Sequence, residues 1–336
     1  MPVAGHPASL LYPRRANVCT EVIDLSFNAE RFISEKIEEL RREIGGAKAF
    51  AATSGGVDST VSAVLAHRAI GARLTVGFLD DGLMREGEPE AVVSRLRGMG
   101  LNAKLYDVRE PFFRALKGLT DPEEKRKAFR EAFYRTLSET ARKEGAEYLV
   151  QGTIAADVLE TKGGVKTQHN VLDQIGIPSF KEYGFKVLEP LVTLLKPEVR
   201  LVGERLGLPK DMYGRRPFPG PALALRVIGE ITPERVETVR KATKIVEEGT
   251  QDLECFQAFA VLLNDRATGV VNGKRRYGEI VVIRAVDSKD ALTASPTKME
   301  WGRLEAIRDR ILREIPSVIK VLYDLTPKPP STIEYI

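Results

Sequence analysis

Cysteine is nearly absent from this chain: its 336 residues include two, Cys19 and Cys255. One chain can therefore build neither a disulfide framework nor a four-thiolate metal site. A reducing, cytoplasmic setting is the expectation. No run of about 18 apolar residues occurs, so no membrane-spanning helix and no membrane partner are expected. The opening stretch, MPVAGHPASLLYPRRANVCT, places its basic pair behind a short apolar run, the wrong order for a secretory signal. Strong charge of one sign is also missing. The 51 basic and 47 acidic residues leave a net charge of +4, an ordinary solvated surface that gives no ground for nucleic acid as a partner. Local clusters such as Lys274-Arg275-Arg276 remain candidates for phosphate. Internal repeats and low-complexity segments are absent.

What is present is a regular alternation of apolar strands with amphipathic helices, in a chain long enough for two domains. Residues 1–28 have no periodicity and read as an N-terminal tail. From about residue 29, RFISEKIEELRREIGG lays Phe32, Ile33, Ile37, Leu40 and Ile44 on one helical face and stops at a glycine pair. AKAFAAT, RLTVGFLD, NAKLYDV and AEYLVQGT read as strands. The segments between them read as helices over 59–70, 86–98 and 122–144. The last of these is opened by Asp121, Pro122 and Glu124. Strand alternating with helix predicts a parallel sheet covered on both faces, with ligands at the carboxyl ends of the strands. The stretches 53–58, 79–82 and 151–153 all fall there. Residues 154–187 lack periodicity and read as a lid or binding segment. A short strand over 185–189 and a helix ending near Gly207 follow. Three prolines in RRPFPGPALALR mark a boundary, placed between residues 212 and 213. Beyond it, the pattern predicts a helix from Thr232 to about 248, strands around the Asn272-Gly273 turn, a helix over 298–314 and a last strand in SVIKVLYDL. The apolar strands at 280–286 and 317–325 exceed what so small a unit is expected to bury alone.

The loop TSGGVDST carries the chemistry. Gly55 and Gly56 leave backbone N–H groups unshielded, and Ser54, Ser59 and Thr60 add hydroxyls at a helix N-terminus, a suitable nest for phosphate oxygens. A glycine turn with a Ser/Asp cap is an ordinary alternative, and the glycines alone would favour it. Asp58 alters the weighing. A carboxylate beside a phosphate cradle repels it unless a divalent cation such as Mg2+ lies between them.

SGGVDST resembles the PP-loop of the ATP pyrophosphatases. FLDDGLMR, DPEEKRK, QGTIAADVLET, KTQHN, LEPL, RRPFPGPALALRV and KPPSTIEY follow in order, and together they resemble the synthetase part of the GMP synthase family over about residues 30–336. The resemblance implies an adenine-nucleotide-α-hydrolase-like parallel-sheet α/β domain (29–212), followed by a small α/β dimerisation and acceptor-binding domain (213–336). It implies a C–N ligase that uses ATP and Mg2+ to convert XMP to GMP through an adenylyl-XMP intermediate. Ammonia would come from a separate glutaminase subunit, and the chain would form a homodimer. Neither cysteine lies in a nucleophile-elbow context, so no glutaminase activity is expected within the chain.

By match to those motifs, Ser54, Gly55, Gly56, Val57, Asp58, Ser59 and Thr60 would hold ATP, with Asp58 on the metal. Asp80, Gly82, Gly152 and Thr153 would lie beside the adenosine. Lys166 would close on the phosphates, and Asp58 and Lys166 would be the catalytic pair. His169, Arg216, Pro217, Gly220, Pro221, Lys328 and Glu334 would hold XMP, while His6 and His67 read as structural. The chain departs from the family pattern at Gln168, Arg216, Ala222 and Ile336, all on the lid or acceptor side. An acceptor other than XMP, or an ATP-binding module without catalysis, are the alternatives. The first would leave ATP binding intact but XMP without effect, and the second would have no use for Lys166.

Overall fold

The computed structural model describes residues 27–162, 185–213, 216, 218–289 and 291–336. Helix α1 (Ala29–Ile44) is capped by Asn28, whose side chain accepts from the Arg31 amide. Strands β1 (Ala49–Ala52), β2 (Leu74–Asp80), β3 (Ala103–Asp107), β4 (Tyr148–Val150) and β5 (Lys186–Leu188) form an all-parallel sheet in the order β3-β2-β1-β4-β5. The helices between them are α2 (Val57–Ile70), α3 (Glu88–Gly98), α4 (Arg109–Leu116), α5 (Pro122–Lys143) and α6 (Ala155–Lys162); α7 (Lys196–Arg205) and α8 (Lys210–Tyr213) follow β5. The parallel-sheet α/β class expected from the alternation is the one observed.

Period-2 alternation sorts the strands into two cores. Ala49 and Ala51 face a core built with α1, α2, α3 and α7, whereas Phe50 between them joins the one beneath α4 and α5. On β1, β2 and β4 both faces are covered, so those strands read as nearly unbroken apolar runs. The second core continues through the linker into the C-terminal unit, taking in Leu223, Val227, Val239, Val281 and Ile311. Lys125 of α5 crosses the same junction. It is fully buried and its Nζ donates to Val227 O at 2.8 Å.

The C-terminal unit holds α9 (Pro233–Gly249), the strands β6 (Gln257–Val271), β7 (Lys274–Asp287) and β8 (Ser295–Pro296), α10 (Trp301–Glu314) and β9 (Val318–Tyr323). β6 and β7 form a long antiparallel hairpin, with Val271 opposite Lys274. The two residues between them, Asn272 and Gly273, have φ of 52° and 73°, as a two-residue hairpin turn with right-handed twist demands. β9 runs parallel to β7.

Three features differ from the sequence expectation. α4 was not anticipated, because eight residues with only Phe112 and Leu116 buried are too short to show a period. α6 lies at the start of the stretch read as aperiodic. β6 begins at Gln257, well before the turn, because its first six residues are all buried and show no alternation. The surplus of apolar surface is also smaller than expected. Val281, Val282, Ile283, Ala285 and Val286 are covered within the chain, and exposed apolar residues remain at Trp301, Leu322 and Leu325.

Candidate active site

β1 has β2 on one side and β4 on the other, so the strand order reverses direction at β1/β4. In open parallel sheets, the crevice at such a reversal is where ligands bind. The loop 53–56 and the start of α2 occupy it. Gly55 has φ of +74°, and a Cβ there would come 2.5 Å from Val92 Cγ2. Both facts demand glycine. The α2 N-cap, Gly56, makes no side-chain capping bond, so the first-turn amides keep their donor capacity. Around them the hydroxyls of Thr53, Ser54 and Ser59 are joined by long contacts of 3.3–3.5 Å. Such contacts are near the limit of hydrogen bonding and are easily exchanged for phosphate oxygens. Val57 and Thr60 are buried beneath the loop, and Thr60 Oγ1 has no partner among the described residues.

From β4, Gly152 backs directly onto this helix end. A Cβ at Gly152 would lie 2.6 Å from the Ser59 amide nitrogen, so no larger residue fits. Thr153 is buried and its hydroxyl donates to Glu189 at 2.6 Å. From β2, Asp80 Oδ1 accepts the Gly82 amide at 3.0 Å, and Asp81 Oδ1 accepts the Leu83 amide at 2.8 Å. Burial pushes the Asp81 carboxyl up to about 7, against the lowering effect of the Leu83 amide. The structure thus gathers Ser54–Thr60, Gly152 and Thr153 at one mouth, with Asp80 and Gly82 at the end of the neighbouring strand.

Asp58 is divided between two environments. Its Oδ2 pairs with Lys196 Nζ at 2.5 Å, while its Oδ1 is buried without a partner among the described residues. A buried carboxylate oxygen left unsatisfied is costly and marks a place for a cation. Among the described residues, no group of three or more His, Cys, Asp or Glu side chains is arranged to hold a metal. The unpaired Oδ1 of Asp58 could hold a divalent ion that takes its other ligands from water and substrate phosphates. Lys196 was missed in the sequence. Its one signal is electrostatic: a cation in the first turn of α7 opposes the helix dipole and so is held there by something else.

On the acceptor side, two guanidinium groups lie over the Phe218 ring, Arg85 at 4.1 Å and Arg226 at 4.8 Å from its centre. Arg226 is almost fully buried, also lies 4.0 Å from the Phe259 ring centre and pairs with Glu334 at 3.3 Å. Gln257 donates to the same carboxylate at 3.0 Å. Arg85 and Arg226 were not singled out from the sequence, because nothing in a lone arginine announces a ring that will stack on it. The other acceptor candidates are dispersed. Arg216 donates to Thr250 and to the Leu253 carbonyl past the end of α9. Lys328 Nζ donates to Ala291 O at 2.8 Å. Gly220 is exposed and Pro221 buried, just ahead of a short 3₁₀ turn, Ala222–Arg226. Lys166, Gln168, His169 and Pro217 lie outside the described residues.

Comparison with known proteins identifies the relatives of this chain. The profile of the family described as GMP synthase C terminal domain matches residues 243–335. A protein of Archaeoglobus fulgidus, named as the B subunit of GMP synthase [glutamine-hydrolyzing], is 52% identical over 309 residues, which is 92% of this chain and 99% of that protein. Proteins of the same name from Methanopyrus kandleri and Pyrococcus furiosus are 49% and 50% identical, over 92% and 91% of this chain and 99% and 97% of theirs. The chain belongs to the GMP synthase B-subunit family. It is therefore an enzyme of the ligase type, and the relatives it matches are covered almost end to end.

Proposed function

We propose that this chain forms GMP from XMP, consuming ATP and ammonia. The observation that carries the reading is Asp58 at the mouth of an uncapped helix nest, with one oxygen held by Lys196 and the other buried and unpaired. The nest amides and the hydroxyls of Ser54 and Ser59 receive the β- and γ-phosphates. Asp58 would hold Mg2+ through Oδ1, and the ion would neutralise polyphosphate charge and help align the α-phosphate. Asp80, Gly82, Gly152 and Thr153 border the adenosine, and Lys166 closes on the phosphates. The xanthine O2 attacks the α-phosphorus and pyrophosphate leaves. A carbonyl oxygen is a poor leaving group, and adenylation turns it into a good one. Ammonia then adds at C2, and AMP departs carrying that oxygen. The chain's own task is to align two nucleotides and to exclude water from the adenylate.

The acceptor is assigned to the unit beyond residue 212. By their motifs His169, Arg216, Pro217, Gly220, Pro221, Lys328 and Glu334 would hold it, with Glu334 accepting from the purine ring and a cation on the 5′-phosphate. Arg85 and Arg226, stacked about Phe218, belong to the same group. A homodimer through the C-terminal unit fits the apolar residues left exposed at Trp301, Leu322 and Leu325. Sedimentation is expected to give twice the chain mass at micromolar concentration, and a fully active monomer would refute it.

Ammonia is expected from a separate glutaminase subunit in the cytoplasm. Burial pushes the thiol of Cys255 above its ordinary value, which makes it an inert group. Purified chain given MgATP, XMP and ammonium should yield GMP, AMP and pyrophosphate in equal amounts. Given glutamine in place of ammonium it should yield none, and glutamine-driven product from the pure chain would sink the two-subunit reading.

A further inference from the structure

The loop that follows β2, residues 80–85, is gripped from the C-terminal unit at three successive carbonyls. Arg240 of α9 donates through Nε to Met84 O at 2.9 Å and through a second nitrogen to Gly82 O. The Leu223 amide, in the acceptor linker, donates to Leu83 O between them at 2.9 Å. A third nitrogen of Arg240 is itself held by Glu237. One end of this loop is Asp80, assigned to the adenosine. The other is Arg85, whose guanidinium stacks on Phe218 and pairs with Glu247 at 2.8 Å.

We propose that Arg240 is a positioning residue that couples the acceptor site to the ATP site by fixing the shape of this loop. Leu83 is fully buried and packs the middle of the loop into the core, while the carbonyls on either side of it, at Gly82 and Met84, are held from the C-terminal unit by the guanidinium fork. Where that unit meets Arg85, a cavity of about 100 Å³ is bordered by Arg85, Leu223, Arg240 and Glu247. The rigid plane of the guanidinium holds two carbonyls two residues apart, which the single ammonium of a lysine does not reproduce. A loop that reaches both proposed nucleotide sites, with two of its carbonyls held by one side chain of the other unit, gives each ligand a means to bias the other's site. Nothing in the motif resemblance assigns this role to Arg240.

The inference rests on the ATP and XMP assignments above, and calorimetry separates its failure from theirs. The probe is the α,β-methylene analogue of MgATP, titrated with and without XMP into the wild-type chain and into Arg240→Lys and Arg240→Gln. In the wild type, XMP is expected to tighten the analogue by at least about fivefold, the lower end of ordinary coupling. In both variants, analogue binding alone should stay within about twofold, while the XMP effect falls towards one. Arg240→Lys keeps the charge and the packed stem, so the test does not hinge on the more disruptive variant. Variants that keep the full wild-type factor would overturn the proposal, even if both affinities fall together, because that pattern belongs to a packing residue. A wild type that binds XMP without any coupling would overturn this inference alone. A wild type that binds the analogue but no XMP would overturn it together with the proposed acceptor.

Discussion

Asp58 and Asp81 are carboxylates held in opposite ways, and each leads to a measurement. Asp58 sits in the first turn of α2, where the helix dipole favours its charge. Lys196 neutralises one of its oxygens, and the other is left for a cation. Asp58→Asn keeps the size but removes the charge. Loss of an electrostatic contact to a group that develops charge in the transition state costs about 100-fold or more in turnover. Pyrophosphate release should fall by that factor with the fold intact. Turnover near the wild-type rate would remove Asp58 from the mechanism. Asp81 is buried and its carboxyl titrates at about 7 in the folded chain, against 3.8 unfolded. A raised folded value means a contribution to stability that is complete below about pH 4 and lost as pH rises through 7. A displacement of that size corresponds to as much as about 4 kcal/mol. Asp81→Asn retains an acceptor for the Leu83 amide, so its denaturation midpoint should vary less between pH 4 and 7 than the wild type's. Parallel pH profiles for the two proteins would refute this.

Among the elements, the nucleotide crevice is where β4 and α2 come closest, and Gly152 makes that approach possible. Gly152→Ala would press a methyl group against the Ser59 amide at 2.6 Å. Overpacking of this kind costs about 1–3 kcal/mol and moves the phosphate nest away from the end of β4. A raised KM for ATP and a lower denaturant midpoint are expected together; an unchanged KM would mean that the nest does not depend on this contact. The elements also differ in how far they were legible. The strands β1, β2 and β4 could be read because they are buried and their apolar runs end in glycine loops. The phosphate loop was legible because its glycines, hydroxyls and acid are consecutive. The first half of β6 was not, since a fully buried run such as Gln257–Leu262 has no period to separate strand from helix. The acceptor cluster was legible only in part. Glu334 and the linker were found by their motif, whereas Arg85 and Arg226 reach Glu247 and Glu334 through contacts of distant parts of the chain.

On the scale of the whole molecule, two units share one continuous core, and Lys125, Leu223 and Arg240 carry hydrogen bonds across their junction. This junction brings Arg85 of the first unit against Phe218 and Arg226 of the second. Of the departures from the family pattern, Arg216 spends its donors on the backbone beyond α9, where an always-charged guanidinium is satisfied by fixed carbonyls. On the proposed reading it supports the frame around the acceptor rather than the acceptor itself. The central claim is that XMP remains that acceptor, and acceptor-dependent pyrophosphate release tests it most directly. Purified chain with MgATP should release pyrophosphate rapidly when XMP is added, and no faster than background with IMP, GMP or UMP. Normal ATP binding with pyrophosphate release indifferent to XMP would contradict the account.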